Sequence, residues 1–287
     1  MPATSSVSTG TKAAAASVQA EASSVRGTPA LQRFARLGLC SRSVIYVLLA
    51  YMAADIALTD TSPAQPSGTG ALTEIGHQPG GRALLALLAI GLAGYAAWRS
   101  TQALGQDDQE SAARRAVQRV GWALVAAIYA FLCVRAIATA VGAGGGGGGT
   151  SSNPQPVVGL VLRWPGGPLW VGLAGAAMAI GGVALTIWGT AHDYSDVLSV
   201  PVTRPAFRAA QATGVIGEAT RGILIVLVSV YLLDAAITDD PSHAKTLGEA
   251  LRAFDRFAVG PAVLLAAAAG LACFAGYSVF EALYRRL

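Results

Sequence analysis

Long uncharged apolar segments decide what this chain can become. Uncharged runs cover 43–54, 83–98, 120–134, 164–191, 222–233 and 257–280. The first, third and fifth each stop at one charge, Asp55, Arg135 or Asp234, and reading across it restores a full span. A helix of about 20 mostly apolar residues crosses a bilayer, so the chain has room for six crossings. Charged residues make up 13% of the chain and apolar residues 53%, whereas soluble domains carry about 25% charged. The expected fold class is all-α: a polytopic integral membrane protein with six transmembrane helices.

The spans are variations on one design. Gly38 to Leu58 opens with Arg42 and reaches Asp55 thirteen residues later; Gly217 to Ile237 places Arg221 and Asp234 at the same spacing. A third copy over Gln118 to Thr139 has Trp122 in the Arg place and Arg135 in the Asp place. Each copy is followed by a loop and a second apolar segment. The organisation expected is therefore a disordered tail over 1–30, rich in Ala, Ser and Thr, then helix-pair repeats over 31–105, 106–191 and 192–287. The six-glycine run 144–149 with Thr150 to Pro156 is a flexible linker, and no Gly-Lys-Ser/Thr follows the glycines to make a phosphate loop. Residues 31–42 form a basic lead-in and 191–220 a polar connector. Residues 242–257 suit a short amphipathic surface helix, with Leu247, Leu251 and Phe254 on one face.

Basic residues sort by side. Alternating loops put 14 Lys and Arg on the side of the two termini and five on the other, with Arg135 left inside a span. The positive-inside bias then places both termini in the cytoplasm of a bacterial inner membrane. This asymmetry also accounts for the net charge of +4 without a nucleic-acid partner. The five Trp fall at helix ends, as an aromatic belt would. Three Cys, at 40, 133 and 273, lie in or beside spans and make no disulfide framework. His77, His192 and His243 are isolated, so no metal or cofactor is expected. No His-Glu-x-x-His or Gly-x-Ser-x-Gly motif occurs and no nucleophile stands at helical spacing from a base, so the chain does not read as an enzyme.

Three patterns carry a family likeness: Arg42-x-x-x-Tyr46; Gly70-Ala71-Leu72 with Gln78-Pro79-Gly80-Gly81-Arg82-Ala83-Leu84-Leu85; and Gly91-Leu92-Ala93-Gly94-Tyr95-Ala96-Ala97-Trp98-Arg99. On these the chain resembles a bacterial integral membrane family, domain of unknown function 1206, over about residues 31–287. The resemblance implies three tandem two-helix units and transfers no activity, ligand or site residue. The middle copy lacks the Arg and Tyr of the opening pattern, and the third ends on Gly276-Tyr277-Ser278-Val279-Phe280.

Two sets of residues are candidates for a role. Asp55, Arg135 and Asp234 hold equivalent positions, and a charge at mid-membrane costs about 2.5–3.5 kcal/mol. Packing of the repeats about a threefold axis would bring them together, as a structural ion pair or as a transport site; otherwise the side chains simply reach the outer headgroups. Arg42 and Arg221 open their helices and are expected to anchor in headgroups. Ala89, Ala93 and Ala97, and likewise Ala262, Ala266 and Gly270, are expected to let helices approach closely. Two functions stay open. One is a non-catalytic membrane module that packs with another membrane protein or with anionic lipid. The other is a small transporter or channel with Asp55, Arg135 and Asp234 at its site.

Overall fold

The computed structural model describes residues 29–59, 67–104, 112–142, 154–191, 204–255 and 259–284. The expected tail over 1–28 and the glycine run lie outside them. Nine α-helices occur among the described residues: α1 (Pro29–Thr59), α2 (Gly68–His77), α3 (Gly81–Leu104), α4 (Ala112–Ala140), α5 (Gln155–Leu162), α6 (Gly167–Ala191), α7 (Arg204–Thr238), α8 (Leu247–Asp255) and α9 (Gly260–Tyr284). Their order is long, short, long, three times over. Six are long and apolar enough to cross a membrane: α1, α3, α4, α6, α7 and α9.

Local chemistry repeats with the helices. Ser67 caps α2, its side chain accepting from the Gly70 N–H at 2.9 Å. In the third unit Thr246 accepts from the Glu249 N–H at 3.2 Å, and the Glu249 carboxylate accepts from the Thr246 N–H at 2.8 Å. This reciprocal pair is a capping box. The turn from short to long helix is Pro79-Gly80-Gly81 in the first unit and Pro165-Gly166-Gly167 in the second. Gly80 and Gly166 take φ of 80° and 73°, a conformation open to glycine without strain.

Two boundaries differ from the sequence reading. The segment placed in a polar connector is helical from Arg204. Pro205 sits where a helix's first turn tolerates proline, and Ala210, Gly214 and Gly217 give it a buried face. Residues 155–162, placed partly in the linker, form α5.

The long helices pack in one sequence of neighbours: α4 on α3, α3 on α1, α1 on α9, α9 on α7, α7 on α6. A sixth contact, α4 on α6, would close a ring of three units, and those two helices share no comparable packing. The main core joins α1, α3 and α9 through Leu49, Met52, Leu85, Leu92, Leu264 and Leu271, with Leu72 of α2 and Leu251 of α8 above it. Of the stripes expected between helices, Ala93, Ala97, Ala262 and Ala266 are exposed, while Ala89 is buried in the core and Gly270 packs closely on Thr220. Glycines make the close approaches instead. A Cβ on Gly38 would collide with Tyr95 of α3, and one on Gly217 with Phe274 of α9, 2.5 Å from its Cα.

Candidate functional site: a buried arginine network where the repeats meet

Arg42 lies 17 residues before the end of α1, and Arg221 lies 17 before the end of α7. That separation is about 26 Å of helix, close to the roughly 30 Å of a bilayer's hydrocarbon core. Both arginines therefore mark one level, near one membrane boundary, at the end of the bundle away from α2, α5 and α8.

Arg42 is 3% exposed and is closed in by three helices. Its Nε donates to Ser278 Oγ at 3.1 Å and one terminal nitrogen to the Tyr95 hydroxyl at 3.1 Å. The other terminal nitrogen bonds to Glu281, itself 4% exposed. The Ser278 hydroxyl in turn donates a hydrogen bond to the Phe274 carbonyl at 2.8 Å. Next to Arg42, Ser43 donates to the Ala275 carbonyl at 2.9 Å. A buried charge must be paired or it is prohibitively costly, and here the counter-ion comes from 239 residues away. Arg42 is thus not the headgroup anchor expected from its position: α9 covers it and supplies Glu281.

Aromatic rings line the network. The Tyr95 hydroxyl also accepts from Arg99, at 2.8 and 3.1 Å. Tyr129 of α4 meets the Tyr95 ring edge-on with centroids 4.6 Å apart, and Tyr46 meets Phe274 at 4.5 Å. The Arg42 and Arg221 guanidiniums each stand 5.0 Å from the Phe274 centroid. Cation–π contact of this kind stabilises by about 0.5–2 kcal/mol. Arg221 is half-buried and makes one long ion pair, 3.3 Å to Glu218 on its own helix. It too turns inward onto a ring.

The second set of candidates is not assembled. Among the described residues no hydrogen bond or ion pair joins any two of Asp55, Arg135 and Asp234. Asp55 accepts from the Thr59 hydroxyl at 3.0 Å. Asp234 is half-exposed and pairs with His243 at 2.6 Å. Each carboxylate is met by a residue at its own end of a helix, so no shared cluster is needed to satisfy it. Trp98, expected in a belt, is buried beside Tyr95. Among the described residues no group of three or more His, Cys, Asp or Glu stands together to hold a metal. Sequence reasoning missed Glu281, Ser278, Tyr95 and Phe274 as a unit. One signal was present: the Gly-x-x-x-Tyr of 91–95 recurs as Gly270 and Phe274.

Six apolar helices in three long–short–long units define a multi-pass α-helical membrane protein. Residues 37–106 and 216–285 each match the family described as Domain of Unknown Function (DUF1206), so the protein carries that domain in two copies. Their offset of 179 residues (37 against 216, 106 against 285) equates Arg42 with Arg221, Tyr95 with Phe274 and Gly38 with Gly217. Uncharacterized protein YxxB of Bacillus subtilis (strain 168) is 26% identical over 261 residues, which cover 90% of this chain and 93% of that protein. No solved structure matches the chain.

Proposed function

We propose that this protein is a non-catalytic membrane module that acts by packing with other membrane components, lipid or protein. The observation that carries this reading is how the charges are used. Arg42, Glu281, Ser278 and Tyr95 satisfy one another and clamp the first copy of the domain to the second. Among the described residues the main core beside this clamp is apolar, built from Leu49, Met52, Leu85, Leu92, Leu264 and Leu271. The unshared faces of α4 and α6 are the natural place for a neighbour. The positive-inside asymmetry supports placing the Arg42 end, and both termini, in the cytoplasm of the bacterial inner membrane.

The test uses single cysteines at Leu49 and Ser229, both buried at mid-helix, with the three native Cys replaced. Neither should react with a membrane-impermeant thiol reagent in intact cells. Reaction at both would reveal a water-filled path through the bundle, and the transport reading would take over.

A further inference from the structure

The two copies place equivalent arginines on the same ring, yet among the described residues only Arg42 has a counter-ion from a neighbouring helix. Arg42 receives Glu281 across the α1–α9 interface. The corresponding neighbour of Arg221 is α6, which has no charged residue over Gly167–Ala191. On that interface Gly182 packs against Gly222, and Gly189 against Glu218. A guanidinium carries five N–H donors. Among the described residues Arg221 uses one of them, in the 3.3 Å contact to Glu218.

Tyr46 shares the Phe274 ring with it: the Tyr46 ring centroid stands 4.5 Å and the Arg221 guanidinium 5.0 Å from the Phe274 centroid. Arg221 lies within electrostatic reach of Tyr46, Tyr129 and Arg42. Among the described residues neither the Tyr46 nor the Tyr129 hydroxyl makes a hydrogen bond. Tyr129 belongs to α4, which does not pack on α7 or α6 as the other neighbours pack. Arg221, its side chain 22% exposed, lies on α7 between the neighbouring helices α6 and α9. Its depth, about 26 Å from the far end of α7, is the level at which lipid phosphates meet the hydrocarbon.

We propose that Arg221, with Tyr46 and Tyr129 opposite and Arg42 across the Phe274 ring, binds a phosphate-bearing anion. The planar guanidinium fork suits two phosphate oxygens at once, and the phenol hydroxyls add donors. The phosphate would come from the headgroup of an anionic phospholipid or from a free phosphate in solution. This inference rests on the reading of the protein as a module that packs with membrane components, and names one of them.

The experiment follows the melting temperature of the full-length protein in dodecyl maltoside. Phosphatidylglycerol, phosphatidylcholine or inorganic phosphate is added to separate samples. A ligand at a hundredfold excess over its Kd should raise Tm by roughly 5–10 °C. The rise is expected with phosphatidylglycerol and not with phosphatidylcholine. Arg221→Gln should lose it, while Arg208→Gln, exposed on the same helix, should keep it. Tyr129→Phe removes only a hydroxyl and should shrink the rise, which guards against a misfolded Arg221 variant. A rise with inorganic phosphate alone keeps the site and assigns it a soluble ligand. No rise with either anion, or an undiminished rise in both Arg221→Gln and Tyr129→Phe, overturns the proposal. Failure of the packing module itself would show separately, as thiol labelling at Leu49 and Ser229.

Discussion

Removing the Glu281 carboxylate should destabilise the protein more than almost any other single change. The Arg42 and Glu281 side chains are 4% and 5% exposed. Glu281→Leu leaves Arg42 charged, buried and short of its counter-ion, although Ser278 and Tyr95 still accept from it. Breaking a buried pair from one side costs about 3–5 kcal/mol. A domain of this size loses about 2–4 °C per kcal/mol, so Tm in dodecyl maltoside should fall by roughly 6–20 °C. The double variant Arg42→Met/Glu281→Leu should recover most of that loss, because an apolar pair of similar volume is often neutral. The groups left behind remain satisfied: Tyr95 keeps Arg99, and Ser278 keeps the Phe274 carbonyl. The cycle then reports a large coupling between the two sites. A single variant that melts within about 2 °C of the parent, or a double variant as unstable as the two singles summed, would refute the clamp.

Other outcomes follow from the same structure. Gly217→Val should cost about 1–3 kcal/mol or more by forcing α7 off Phe274, whereas Gly276→Ala, with open space around it, should be silent; thermal melts compare the two. Ser67→Ala and Thr246→Ala should each loosen their short helix by about 1 kcal/mol, read as faster amide exchange in α2 or α8 with the long helices unchanged. Asp240 lies in the loop between α7 and α8, and the Ser242 backbone N–H, donating to its carboxylate at 2.8 Å, holds it below the usual carboxylate range. A depressed carboxylate stabilises above its unfolded pKa and loses that contribution as pH falls through the folded value. The protection of the Ser242 amide, relative to its intrinsic exchange rate at each pH, should therefore fall only in acid, and a pH-independent protection would count against the turn.

The arithmetic of spans was legible because lipid imposes it: six apolar segments of sufficient length, and a thirteen-residue interval from Arg to Asp in two of them. The Gly91-to-Trp98 spacing was legible as a repeat because it returns at Gly181 to Trp188, whereas of Arg42-x-x-x-Tyr46 only the Arg returns, as Arg221, with Ile225 in the Tyr place. The helical stretch 204–220 was read as connector because its polar residues show no spanning pattern; its helix is held by Ala210, Gly214 and Gly217 against other elements. Asp55, Arg135 and Asp234 were expected to converge because equivalent positions do so only if they face the axis. Asp234 faces outward to His243, and one sequence does not reveal which way a residue points around its helix.

Sequence by itself determined that this chain lives in a membrane, how many times it can cross, and that its units repeat. Tertiary structure alone decided that Arg42 is a buried clamp and not a surface anchor, because its counter-ion lies on the last helix. It also decided that Arg221, in the equivalent place, pairs among the described residues with Glu218 of its own helix and with no neighbouring helix. The physical reason is that a charge's role in lipid depends on which helix stands beside it, and neighbours in a bundle are set by packing across hundreds of residues.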